Sequence, residues 1–201
     1  MSLQVGDGLP IVRLDEVSVP LRAEELFGAP LPLEVELGSG KGGFLLAWAA
    51  ANPGAGFLGI ERAHKYLAMG AARAARAGLA NVRFAHTSGE DLLFRCLAPG
   101  SVRRVHVYFP DPWPKKRHHK RRFFSAANVA RLADVLEEGG ALLAKTDHGG
   151  YADVIAALLA AEPRLVEAPA EEAFAALPPS NYETKYAREA RAIHRFARRR
   201  A

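Results

Sequence analysis

From residue 33 onward, short runs of β-favouring residues alternate with longer stretches in which apolar positions recur every three or four residues. The short runs are "LEVEL" (Leu33 to Leu37), "FLGI" (Phe57 to Ile60), "VRFAH" (Val82 to His86), "RVHVYF" (Arg104 to Phe109) and "ALLAKT" (Ala141 to Thr146). Such alternation predicts a parallel sheet flanked by helices. The first helix, Gly43 to Ala51, stops before Asn52-Pro53, and the next, His64 to Ala77, ends at Gly78, a residue suited to a left-handed cap. Ser125 caps a third pattern in which Val129, Leu132 and Leu136 share one face, and Gly139-Gly140 closes it. A further helix runs from Tyr151 to about Ala161, before Pro163. "APAEEAFAALPPS" mixes a short helical pattern with prolines, so residues 168–182 read as an insertion, and "RAIHRFARRR" supplies a last strand. The pattern predicts one domain over residues 1–201, with 1–32 as an N-terminal segment.

The turn between the first strand and the first helix is "ELGSGKGG", which contains G-x-G-x-x-G at Gly38, Gly40 and Gly43. Glycines suit a backbone that turns sharply and must be approached closely by a ligand. Glu61, at the end of the second strand, is placed to accept hydrogen bonds from ribose hydroxyls. These features fit NAD, S-adenosylmethionine or a tight structural turn alike. Glu36, two residues before the loop, favours S-adenosylmethionine, because a negative charge near the first-strand turn tolerates an amino group and a sulfonium but opposes a pyrophosphate.

Charge enters the picture through one segment, "YFPDPWPKKRHHKRRFF". The chain carries 27 Lys and Arg against 22 Asp and Glu, and six of the 27 lie between Lys115 and Arg122; without them it would be slightly acidic. A charge run is often no more than a solvated surface, but this one follows a carboxylate, Asp111, held between Pro110 and Pro112. The arrangement predicts an acid that handles a base, a basic run that meets phosphates, and in Trp113 a flat surface for stacking. The single cysteine, Cys96, allows no internal disulfide, the start "MSLQVGDGLP" has no leader pattern, and "FLLAWAAA" and "VIAALLAA" are too short to span a bilayer. A cytoplasmic protein without membrane contact is therefore expected. The spacing of His64, His86, His106, His148 and His194 predicts no metal site.

These motifs resemble the bacterial, single-chain tRNA (guanine-N7)-methyltransferase family. The likeness runs from Leu33 to about Arg199, through "ELGSGKGGFL", "GFLGIER", "NVRFAHTSGEDLL", "KTDHGGYA" and "PPSNYETKY", and "FPDPWPKKRHHKRR" is its most specific part. The resemblance implies a Rossmann-like class I S-adenosylmethionine-dependent methyltransferase, an α/β fold with a mostly parallel seven-stranded sheet, an antiparallel final strand and helices on both faces. By position, it implies that Glu36, Gly38, Gly40, Glu61, Ser88 and Asp111 line the cofactor site. Asp111 matches the residue the family treats as catalytic. Lys115, Asp147, Ser180 and Glu183 match substrate-binding positions, and Arg117, His118, His119, Lys120, Arg121 and Arg122 the segment that meets RNA. The implied reaction is methylation of N7 of the guanine at position 46 in the variable loop of tRNA.

Two positions depart from the family pattern. Ser88 stands where an Asp is usual, which removes a carboxylate from the adenine contact or moves it to Glu90 or Asp91, and Ser180 replaces a Thr while keeping the hydroxyl. Two alternatives remain open at this level: an amino-methyltransferase acting on another RNA, and a non-catalytic RNA-binding module. A monomer and a homodimer are equally compatible with the sequence.

Overall fold

The computed structural model describes residues 8–201; residues 1–7, most of the "MSLQVGDGLP" start, lie outside the described residues. Eight strands form one sheet in the order β1-β4-β3-β2-β5-β6-β8-β7. They are β1 (Ile11–Val12), β2 (Leu33–Leu37), β3 (Gly56–Ile60), β4 (Val82–Ala85), β5 (Val102–Tyr108), β6 (Leu136–Thr146), β7 (Leu165–Glu167) and β8 (His194–Arg200). The helices are α1 (Ala23–Phe27), α2 (Gly43–Ala51), α3 (His64–Arg76), α4 (Gly89–Asp91), α5 (Ala126–Val135), α6 (Gly149–Ala160), α7 (Ala170–Ala175) and α8 (Asn181–Arg188). All neighbouring strands pair in parallel except β8, which runs antiparallel to both β6 and β7. Seven strands were expected, and the eighth is the two-residue β1, which pairs with β4 at the sheet edge.

Alternation along the strands builds two cores. Leu33, Val35 and Leu37 of β2, with Val105 and Val107 of β5, pack in a cluster that includes Val129 and Leu132 of α5 and Tyr151 and Ile155 of α6. On the other face, Phe44 and Trp48 of α2, Leu67 of α3, Tyr108 and Leu143 form a second cluster. This period-two partition also explains why Glu34 and Glu36, between the leucines of "LEVEL", are buried rather than solvated: helices cover both faces of a central parallel strand.

One expected boundary is corrected. Leu136 does not continue the helix capped by Ser125, because α5 ends at Val135 and the chain turns directly into β6, with Leu136 paired to Val102. The pair gives Leu136 a fully buried position in the sheet, and Gly139, at φ 74°, allows the irregular stretch before regular pairing resumes at Ala141. Helical spacing and strand burial agree for Leu136, so the local pattern could not separate them.

Strand order reverses between β2 and β5: β2 is followed through α2 by β3 on one side, while β5 lies on its other side. The carboxyl ends of these two strands therefore open a crevice at a topological switch point, where open α/β sheets bind ligands.

Candidate active site at the carboxyl edge of the sheet

Every residue singled out from the sequence lies on segments that gather at this edge. Glu36 lies near the end of β2 and the glycine loop follows that strand, Glu61 follows β3, Ser88 follows β4, Asp111 follows β5, and Asp147 follows β6. Ser180 and Glu183 open α8, which precedes the antiparallel β8 and so returns to the same edge.

Gly38 and Gly40 take φ of 79° and 54°, in the left-handed region, and a Cβ on either would meet nothing within 4 Å. The backbone there is both turned and bare, a cradle that a ligand can approach. Gly43 is different: a Cβ there would lie 2.6 Å from the amide of Asn181. The third glycine thus accommodates the start of α8 rather than open space. Glu61 is fastened to the loop, its Oε2 accepting from the Gly40 N–H at 2.9 Å and its Oε1 from the Ala63 N–H at 2.8 Å.

Glu36 is 5% exposed, and its Oε2 has no hydrogen-bond partner. Burial pushes its pKa up to about 8; the Leu45 backbone amide opposes the shift, the nearby Glu61 charge adds to it and Lys145 opposes it. A buried carboxyl with one oxygen left without a partner among the described residues, beside bare glycine backbone, is the chemistry that a cationic, amino-bearing cofactor satisfies, so these residues fit S-adenosylmethionine.

Glu34, two residues earlier, contrasts with it. Its Oε2 accepts from Trp48 Nε1 at 2.8 Å and lies 3.1 Å from His106 Nε2. His106 Nδ1 in turn lies 2.8 Å from the Tyr108 hydroxyl. Burial lowers the His106 pKa, and a neutral imidazole satisfies both neighbours by donating through Nε2 and accepting at Nδ1. Burial opposes ionisation of Glu34, yet His106, Trp48 and the Arg104 charge together hold its carboxyl below the usual range. The two glutamates of "LEVEL" are thus sorted by partners: one has both oxygens tied to neighbouring side chains, and the other is buried with one oxygen lacking a partner among the described residues.

After β5 the chain leaves regular geometry. Phe109 and Trp113 both adopt positive φ, 54° and 42°, an uncommon conformation for aromatic residues. Arg122 holds the turn, its Nε donating to the Pro112 carbonyl at 2.7 Å while its guanidinium sits 4.7 Å from the Tyr151 ring centroid. The Arg121 guanidinium lies over the Trp113 ring at 4.9 Å, and His118 meets Trp113 edge-on at 5.7 Å. Trp113, expected as a stacking surface, is therefore engaged within its own loop. Asp111 is exposed. Lys115, Lys116, Arg117, His119, Lys120 and Arg121 are exposed as well, on a 3-10 helix that spans Lys116–Arg121 and its N-cap, Lys115.

Ser88 caps α4: its hydroxyl accepts from the Asp91 N–H and donates to Asp91 Oδ2, both at 3.0 Å. The hydroxyl at this departure from the family pattern thus holds a carboxylate, Asp91, in the same turn. Asp147 Oδ2 accepts from Arg191 at 2.9 Å. Ser180 and Glu183 form a capping box at the start of α8, and Glu183 also binds Lys145 Nζ at 2.7 Å and Arg195 at 3.3 Å. Burial opposes ionisation of Glu183, but its bonds to Lys145 and the Ser180 N–H prevail and hold its carboxyl below the usual range. Ser180 and Glu183 accordingly anchor α8 to the sheet. Lys145, Tyr108 and His106 were not singled out as site residues from the sequence. A lysine inside an otherwise apolar strand, "ALLAKT", was the available signal for the first of them.

The chain is similar in sequence and fold to known proteins. A family model described as "Putative methyltransferase" matches residues 30–196. The tRNA (guanine-N(7)-)-methyltransferase of Mycobacterium avium is 39% identical over 188 residues, covering 92% of this chain and 71% of the relative. That of Nocardia farcinica is 46% identical over 147 residues, covering 73% of this chain and 55% of the relative. Among solved structures, the 16S rRNA methyltransferase KamB superposes with a TM-score of 0.61 at 17% identity, covering 85% of this chain and 88% of its own. That last likeness shows the fold.

Proposed function

The chain belongs to the tRNA (guanine-N7)-methyltransferase family, and from that premise we propose that it methylates N7 of a guanine in tRNA, at position 46 of the variable loop, with S-adenosylmethionine as methyl donor. The observation that carries the reading is the buried carboxyl of Glu36, one oxygen of which has no partner among the described residues, beside the bare Gly38 and Gly40 backbone and one strand away from the Asp111 loop and its basic segment.

When bound, S-adenosylmethionine supplies a methyl group on a positively charged sulfur. Glu36 answers the positive charge, Gly38 and Gly40 let the backbone come close, and Glu61, whose oxygens each keep a lone pair, accepts from ribose hydroxyls. Asp91, held by Ser88, provides the carboxylate for an adenine amino group. Guanine N7 bears a lone pair and no proton, so its attack on the methyl carbon needs no general base. Rate then depends on alignment and on offsetting the positive charge that develops on the imidazole ring. Asp111 takes that role, and Asp147 helps position the base. The proposal includes a cytoplasmic location; among the described residues no helix is long and apolar enough to cross a membrane.

Lys115 and the segment Arg117, His118, His119, Lys120, Arg121 and Arg122 meet the RNA backbone, but not uniformly. Lys120→Ala is expected to reduce the salt dependence of tRNA binding by about one phosphate contact, whereas Arg122→Ala, which frees the Pro112 carbonyl, is expected to lower turnover more than it changes the salt slope. Binding isotherms at several salt concentrations, paired with initial rates, check both.

The reaction is tested by nucleoside mass spectrometry of an unmodified tRNA transcript, with guanine at position 46, after incubation with protein and S-adenosylmethionine. The expected product is 7-methylguanosine, lost when position 46 is changed. A different methylated nucleoside would overturn the N7 assignment, and 7-methylguanosine that persists after the change would overturn position 46.

A further inference from the structure

Three aromatic rings stand together between the two loops that define the cleft. Phe109, the residue that enters the Asp111 turn, has its ring centroid 5.6 Å from that of Tyr182 and 5.3 Å from that of Tyr186, and the two tyrosines are 5.8 Å apart at an interplanar angle of 32°. The positive φ of Phe109 turns the chain out of β5 at this point, while its N–H still donates to the Lys145 carbonyl at 2.8 Å. Tyr186 is backed by the Arg191 guanidinium 4.7 Å from its ring, and Arg191 is itself held by Asp147. Tyr182 is the outermost ring and is 52% exposed. Its neighbour Asn181 lies against Gly43 of the glycine loop. The capping box and the Lys145–Glu183 ion pair fix the first turn of α8 that carries Tyr182.

An exposed aromatic ring on a pinned helix, with other rings behind it, is preorganised for a flat partner. Its surroundings specify the partner. Cations stand on both sides, Lys185 and Arg191 near the rings and the Lys115-to-Arg122 segment beyond Asp111, as a phosphate-bearing ligand requires. The bare glycine backbone lies behind Asn181. With Trp113 engaged by Arg121, Tyr182 offers an exposed ring at the cleft.

We propose that Tyr182, supported by Phe109 and Tyr186, is the stacking platform for the acceptor purine. The assignment rests on the functional reading above and adds a specificity and rate element to it. As the N7–CH3 bond forms and the sulfur recovers the electron pair of the broken S–CH3 bond, the purine becomes cationic. A tyrosine face attracts that cation more strongly than the neutral base, so stacking acts on turnover as well as on binding.

Methyl transfer to unmodified tRNA is measured for wild type, Tyr182→Phe and Tyr182→Ala, with S-adenosylmethionine affinity measured in parallel. Tyr182→Ala is expected to lose roughly tenfold to a hundredfold in kcat/KM for tRNA, with part of the loss in kcat, and Tyr182→Phe to stay within about twofold of wild type. Cofactor affinity is expected to be unchanged. A second readout uses tRNA with 2-aminopurine at the acceptor position: wild type and Tyr182→Phe quench its emission on binding, and Tyr182→Ala leaves it bright. Equal 7-methylguanosine formation by wild type and Tyr182→Ala, or a defect confined to cofactor affinity, would overturn the platform alone. Absence of 7-methylguanosine with the wild-type protein would overturn the functional reading and the platform with it.

Discussion

An Asp111→Asn variant is expected to lose turnover by a factor on the order of 10² or more, while its affinities for S-adenosylmethionine and tRNA change by about twofold at most. The substitution keeps shape and hydrogen-bonding capacity and removes only the charge. Pro110 and Pro112 restrict the backbone on both sides, and Arg122 ties the Pro112 carbonyl down, so the loop has little reason to move. Since Asp111 is exposed, the change creates no buried unpaired group and leaves folding stability nearly untouched. Single-turnover rates at saturating cofactor and tRNA isolate the step. Unchanged single-turnover rates with full occupancy would remove Asp111 from the chemistry and leave it as a loop residue.

The second large effect concerns Glu36 and runs in opposite directions for stability and for cofactor binding. Its carboxyl is raised in the folded protein from about 4.5 to about 8, chiefly by burial. As pH rises from about 4.5, the unfolded chain ionises while the folded protein keeps its proton, so this group withdraws stability until about pH 8, where the effect levels off. The ligand-free protein is thus expected to lose melting temperature across that window, and Glu36→Gln is expected to flatten this component of the profile. Cofactor binding has the reverse slope. A sulfonium and an amino group favour the ionised carboxylate, so affinity is expected to rise by up to about tenfold per pH unit toward pH 8, with a proton released on binding. Glu36→Gln is expected to bind the cofactor weakly and with a much flatter pH dependence. Calorimetry in buffers of different ionisation enthalpy counts the proton directly. A wild-type affinity that does not vary between pH 6 and 8 would show that Glu36 is already ionised without its ligand.

Much of this site could be read along the chain, because the relevant chemistry is local. Gly38 and Gly40 sit two residues apart in one turn, Asp111 lies between two prolines, and the six cations are confined to eight consecutive positions. The Ser125 cap was similarly legible, since a cap and the amide it serves are three residues apart, whereas the Ser180 cap emerged only with α8 in the structure. Alternation of short and long patterns sufficed to predict a parallel sheet flanked by helices, and the antiparallel final strand that the family resemblance implied is β8, which runs antiparallel to β6.

What the linear pattern left undecided are pairings that exist only once β2, β5 and β6 lie side by side. Glu34 and His106 are 72 residues apart, and Lys145 and Glu183 are 38 apart, yet each pair is in direct contact. Proximity to the glycine loop singled out Glu36 in the sequence, but nothing there gave Glu34 its partners. The sheet then supplied His106, Trp48 and Arg104 to Glu34 and no partner to one oxygen of Glu36. The same holds for the aromatic residues. Trp113 lies between two prolines and Tyr182 between Asn181 and Glu183, and nothing in those neighbours shows that Arg121 folds over the first while α8 holds the second exposed at the cleft. Periodicity and turn chemistry determine which elements form, because they depend on neighbours a few residues away. Which carboxylate keeps an unpartnered oxygen, and which ring stays open, depends on strand order and helix docking, and these were decided by the tertiary structure.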